Sequence, residues 1–60
     1  MKQKEFDDLP INAMVKIKGR LAKKTSHSQL SVDGKISWAY FEYLDTHRKV
    51  TKRYRQVEKA

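Results

Sequence analysis

Residues 29–57 read QLSVDGKISWAYFEYLDTHRKVTKRYRQV, and the way this stretch folds decides the architecture. It holds Trp38, Tyr40, Phe41, Tyr43 and Tyr54, leaving only Phe6 of the aromatic side chains elsewhere. It also carries Lys35, Arg48, Lys49, Lys52, Arg53 and Arg55. Asp33-Gly34 has the composition of a hairpin turn, because Gly34 accepts the positive φ that a tight turn or a bulge demands. With Gly34 at the bulge, Leu30 falls opposite Ile36 and the two apolar side chains share a face. Ile36 to Leu44 then forms a long strand dense in aromatic residues, which suit a pleated, half-buried surface. Asp45-Thr46-His47-Arg48 makes a second turn, with Lys49 to Val57 as the returning strand.

A helical alternative runs through the same residues. Ile36, Tyr40, Tyr43, His47, Val50, Tyr54 and Val57 follow spacings of four and three and would make one helical stripe. Composition opposes it. Ile36, Thr46, Val50, Thr51 and Val57 are β-branched, four aromatic residues crowd between positions 38 and 43, and neither end carries a clear stop signal.

Upstream, Met14-Val15-Lys16-Ile17-Lys18-Gly19-Arg20-Leu21 alternates apolar and basic residues with period two, as a half-buried strand does. Gly19 is expected as a bend or bulge within that strand. Val15, Ile17 and Leu21 should face inward, while Lys16, Lys18 and Arg20 should line one outer face about 6.6 Å apart, a comb of cations for a phosphate backbone. A helix starting at Pro10 is the alternative; Gly19 in its middle would cost about 1 kcal/mol relative to Ala. Lys23 to Ser28 is short, polar and basic, and reads as a loop. Residues 1–9 read as a loosely ordered arm pinned by Phe6 or Leu9.

The expected fold is therefore all-β or β-rich: a single small domain over residues 1–60 forming an SH3-like or partly open antiparallel barrel of four to five strands. The alternative is a short helical pair or helix-turn-helix from residues 10–24 and 36–57. In plan, a short basic sheet with an aromatic strand resembles small archaeal chromatin barrels and the three-stranded arm-binding domains of phage integrases. That resemblance is architectural, and no residue role follows from it.

At 60 residues one core is only just sufficient, which leaves no room for a deep catalytic cleft. Cysteine is absent, so packing must hold the fold without disulfides or thiolate metal sites. No apolar run has the length of a signal peptide or a membrane span, so a cytoplasmic protein is expected, nucleoid-associated if its ligand is DNA. The net charge of +7 is uneven: residues 16–30 and 46–60 carry +5 each, against −1 for residues 1–15 and −2 for residues 31–45.

Two basic blocks around an aromatic strand point to a non-enzymatic nucleic-acid-binding protein, for DNA or RNA. The expected phosphate contacts are Lys16, Lys18, Arg20, Lys23, Lys24, Arg48, Lys49, Lys52, Arg53 and Arg55. Trp38 and Tyr40, opposite in parity to Phe41 and Tyr43, would offer a stacking surface. The competing reading of Trp38 is as the largest core residue, a face it would share with Leu44, and that of the charge is a solvated surface that keeps the chain soluble. His27 and His47 are the only candidates for a general base or metal ligand. Neither has an orienting partner in the sequence, so no catalysis, metal or cofactor is expected. Gly19 and Gly34 belong to no phosphate-cradling motif. The alternative function is a small protein-interaction or inhibitory module docking an acidic partner; a basic membrane-surface peptide would require the helical fold. Either a monomer or a homodimer paired through an exposed edge strand is compatible with the pattern.

Overall fold

Lys18 and Gly19 both adopt positive φ, 51° and 79°, and fold the alternating basic stretch back on itself. Two successive positive φ values make the tight hairpin turn whose twist matches that of its flanking strands. The computed structural model describes residues 1–60. The single strand expected across residues 14–21 is thus two: β1 (Met14–Ile17) and β2 (Arg20–Lys24), paired with Ile17 opposite Arg20 and Val15 opposite Ala22. Reversal at the turn changes which side chains share a side. Leu21 lies opposite Lys16 and is 45% exposed rather than inward.

Downstream, β3 (Gln29–Leu30) pairs with the N-terminal end of β4 (Ser37–Tyr43), and β2 pairs with its C-terminal end. Between them, Thr25 donates its N–H to the Tyr40 carbonyl, and Ser26 Oγ accepts the Tyr40 N–H. Strands β2 and β3 therefore act as one long strand interrupted by a bulged loop. Lys23 and Lys24, expected in that loop, belong to β2. The turn that follows contains Gly34 at φ 72°, and Leu30 faces Ser37 rather than Ile36. The reason is local: the Ser31 N–H donates to the Ile36 carbonyl and Ser31 Oγ accepts the Ile36 N–H, which moves the register by one residue.

On its other edge β4 pairs with β5 (Lys49–Arg53), with Phe41 opposite Val50. The connecting loop closes through the Tyr43 and Arg48 pair, with His47 in the left-handed region at φ 59°. The strand expected to continue to Val57 stops at Arg53. A 3₁₀ turn, Tyr54–Gln56, redirects the chain so that β6 (Glu58–Lys59) pairs with β1. The sheet order is therefore β5-β4-β2-β1-β6, with β3 extending β2 along β4. All pairings are antiparallel, and the result is an open sheet of six strands rather than the expected four to five, of the small β-rich kind that is SH3-like or a partly open barrel.

Alternation along β4 sets the core. Ala39, Phe41 and Tyr43 face inward against Val15, Ile17, Ala22 and Val57. The segment expected as an arm instead forms helix α1 (Gln3–Asp8), whose Phe6 is fully buried with its ring centroid 5.8 Å from that of Phe41. Only ten residues are buried, so one phenylalanine carries an appreciable share of the apolar burial, about 2–3 kcal/mol of transfer free energy.

Lys24 is the exception to the basic surface. It alternates inward beside Phe41 and has no solvent exposure. Its ammonium donates to the carbonyls of Phe6 and Leu9 at 3.0 and 2.9 Å and to Ser28 Oγ at 2.8 Å. All three donors are used, which is the condition for tolerating a buried charge. The C-terminal end of α1 is held to the barrel this way. Burial lowers the Lys24 pKa below its ordinary value, with Asp7 acting in the opposite sense.

No helix is long and apolar enough to cross a membrane.

Candidate nucleic-acid interface

The outward side of the β2–β4–β5 sheet follows from the register. Lys23, Glu42 and Lys49 form one row across the three strands. Thr51 lies beside Tyr40 in the next row, and Gln29, Trp38 and Arg53 form the third. Strand spacing puts Lys23 and Lys49 about 10 Å apart, and the rise along β4 puts the Trp38 row about 13 Å from the Glu42 row. Trp38 and Tyr40 meet edge to face, with centroids 5.5 Å apart and an interplanar angle of 83°. Tyr40 is 48% exposed and Trp38 is half-buried, so Trp38 belongs to the surface and not to the core.

Charge on this side is positive on balance. Lys23, Lys49 and Arg53 have no carboxylate within ion-pair distance. Glu42 is the one acid between them. It is held by the His47 imidazole, whose Nδ1 lies 3.1 Å from Oε2. That hydrogen bond, then Lys23 and Lys49 nearby, keeps the Glu42 carboxyl below its usual range. An ionised Glu42 repels phosphate, so it marks one boundary of any anion-binding surface.

The remaining expected contacts divide among other places. Lys16 lies outward on β1, opposite both Leu21 and Glu58, and continues the surface past β2. Lys18 sits at the hairpin turn and Arg48 in the β4–β5 loop, both exposed. Lys52 is opposite Ala39, on the core-facing side of β5 and half-buried. Arg55 is on the 3₁₀ turn, with its Nε donating to the Tyr54 hydroxyl at 3.1 Å.

Besides Lys52, two positions depart from the expected set. Arg20 does not join Lys16 and Lys18. It lies opposite Ile17, places its guanidinium 4.0 Å from the Tyr43 ring centroid and pairs with Asp45 at 3.0 Å. Asp45 in turn is held below its ordinary pKa, chiefly by that hydrogen bond. Lys24 is removed from the surface altogether, because its position on β2 points into the barrel. What the structure brings together is Lys23, Trp38, Tyr40, Lys49 and Arg53, with Lys16 alongside.

The sequence reading passed over Thr51, Gln29, Lys35 and Gln56. Thr51 had a signal, since period two from Lys49 places it level with Tyr40 once the turn length is fixed. Gln56 had none, because its position depends on the 3₁₀ turn. There it accepts the Arg53 N–H through Oε1 at 3.0 Å. An open groove beside the platform is lined by Ser31, Ile36, Trp38, Thr51, Arg53 and Gln56.

No three His, Asp or Glu side chains converge as a metal site. His27 is exposed in the β2–β3 loop, and His47 is engaged with Glu42. No family model, curated protein or solved structure matches the chain.

Proposed function

We propose that this is a non-enzymatic nucleic-acid-binding domain that works through the outward side of β2, β4 and β5. The observation that carries the reading is the outward-facing Trp38–Tyr40 pair on the middle strand, flanked by Lys23, Lys49 and Arg53, none of which has a carboxylate within ion-pair distance. Flat rings among cations suit a polymer of stacked bases and phosphates, with phosphate contacts carrying affinity rather than sequence preference. Lys16, Lys18 and Arg48 extend the positive surface around it. A cytoplasmic location goes with this reading, at the nucleoid where the ligand is DNA.

Fluorescence anisotropy of labelled DNA and RNA oligonucleotides, titrated between about 50 and 200 mM salt, tests it. Affinity should fall steeply with salt. Trp38→Ala should weaken binding by about 1–3 kcal/mol, or roughly 5- to 150-fold, in a protein that retains its circular dichroism spectrum. Absence of binding at the lowest salt, or binding indifferent to salt, would remove the proposal.

A second reading, docking of an acidic protein segment, is favoured by one observation: β5 pairs only with β4, so its other edge is open beside Lys49 and Arg53. An added strand would use backbone hydrogen bonds there. A proline at Thr51 should abolish capture of an acidic peptide by a correctly folded protein, and capture unchanged by the proline would remove this reading.

A further inference from the structure

We infer, building on the nucleic-acid reading, that the ligand is single-stranded and that one base enters the groove beside Trp38 with an acceptor-bearing edge toward Gln56. The groove combines an apolar wall from Trp38 and Ile36 with the polar side chains of Arg53 and Gln56. Gln56 Oε1 is occupied by the Arg53 N–H, which fixes which end of the amide is spent. Its Nε2 hydrogens have no acceptor within the chain, and neither has the Arg53 guanidinium. Ser31 Oγ is engaged by the Ile36 N–H and by Asp33.

The unspent amide and guanidinium here are donors, beside a Thr51 hydroxyl that can act in either sense. Uracil, thymine, guanine and cytosine all carry carbonyl oxygens that such donors recognise, whereas adenine has none. An adjoining hollow shares Ile36, Arg53 and Gln56 and adds Lys35, Tyr54 and Arg55, so cations are available for the flanking phosphates. Asp33 also borders that hollow; its Oδ1 accepts from the Ser31 hydroxyl and the Lys35 N–H, and the charge on its partnerless Oδ2 keeps phosphates to the Arg53 and Arg55 side. Stacking requires the flat face of a base, which a duplex hides between neighbouring pairs and a single strand exposes.

Trp38 is the sole tryptophan, so its emission reports on this groove alone. The full chain should be titrated at about 50 mM salt with single strands of about ten nucleotides, oligo-dT and oligo-U, and with a duplex carrying the same number of phosphates. Single strands should quench Trp38 saturably and bind at least about tenfold more tightly than the duplex. Gln56→Glu retains the acceptor for the Arg53 N–H and removes the donors. It should lower single-strand affinity about tenfold while changing duplex affinity less than about threefold. Equal binding of both forms with unchanged emission would overturn the single-strand inference and leave the broader reading standing. Quenching that Gln56→Glu does not alter would overturn the role of Gln56. Failure of every oligonucleotide to bind would take both readings down together.

Discussion

The β1–β2 and β4–β5 hairpins carry comparable basic sequence, yet the fold treats their cations differently. On the first hairpin, Arg20 is neutralised by Asp45 and stacked on Tyr43, and Lys24 is buried against backbone carbonyls. On the second, Lys49 and Arg53 stand outward beside Tyr40 and Trp38 with no ionic partner. The difference comes from turn length and position rather than composition. A two-residue turn at Lys18-Gly19 reverses β2 so that its alternate residues Ala22 and Lys24 point inward; the longer β4–β5 loop brings Lys49 level with the outward Glu42. The first hairpin therefore commits Arg20 and Lys24 to stability while Lys16 and Lys23 stay outward, and the second leaves Lys49 and Arg53 outward while Lys52 turns toward the core.

The sharpest way to break this contrast is at Lys24. Replacing it with Met leaves the Leu9 carbonyl without a donor and takes one hydrogen bond each from Ser28 Oγ and from the Phe6 carbonyl, which keeps the Leu9 N–H; it should cost about 2–3 kcal/mol, a large share of the stability of a domain this small. Thermal unfolding followed by circular dichroism checks it, and a variant as stable as the parent would show that the buried ammonium is dispensable. Affinity for nucleic acid, measured below the melting temperature, should stay within about threefold of the parent.

Next in size is the salt response. Removing Lys49 and Arg53 together as Gln should lower the slope of log affinity against log salt by about 1.4 for a single strand, which amounts to about sevenfold in affinity over a fourfold change in salt. Arg20→Gln should leave that slope unchanged, because Asp45 already neutralises the guanidinium. If the two variants shift the slope equally, the hairpins are not distinguished in the way their ion pairs indicate.

A smaller effect is expected at the turn itself. Lys18 holds φ 51°, where Asn is at less disadvantage than Lys, and Lys18→Asn should raise stability by about 0.5 kcal/mol. Chemical denaturation would read the change as a shift in midpoint with the slope preserved.

The last prediction concerns acid. Glu42 and Asp45 are both held below their ordinary values of 4.5 and 3.8, by His47 and Arg20 respectively. Because the unfolded chain binds these protons more tightly, their contribution is present above the ordinary values and is lost as pH falls through the lowered ones. Melting temperature should therefore decline on the acid side, and Asp45→Asn together with Glu42→Gln should make the decline shallower. An unchanged pH profile in that double variant would show that neither ion pair matters to folding.

The parity of β4 was legible in the chain itself. Ala39, Phe41 and Tyr43 alternate with Trp38, Tyr40 and Glu42, so the two sets were legible, whereas the outward placement of Trp38 was not, because Leu44 shares its face and Trp38 could equally have been core. The strand content and the Gly34 turn followed from β-branched and aromatic composition and from the positive φ that only certain residues accept.

Side-chain direction elsewhere was not legible, because it depends on registers that local sequence leaves open. One residue of register at Leu30 depended on a Ser31 hydroxyl, and the direction of Leu21 depended on where the chain reversed. The amino-terminal segment had too short an apolar pattern to announce a helix, and it became one because the open end of the barrel offered Phe6 a place beside Phe41. Composition thus determined a basic, aromatic sheet, since charge and β-propensity are properties of each residue alone. Only the tertiary structure decided that Lys24 is interior, Arg20 ion-paired and Gln56 part of a groove. Each of those outcomes depends on atoms distant in sequence: the carbonyls of Phe6 and Leu9, the carboxylate of Asp45, and the loop that carries Ile36.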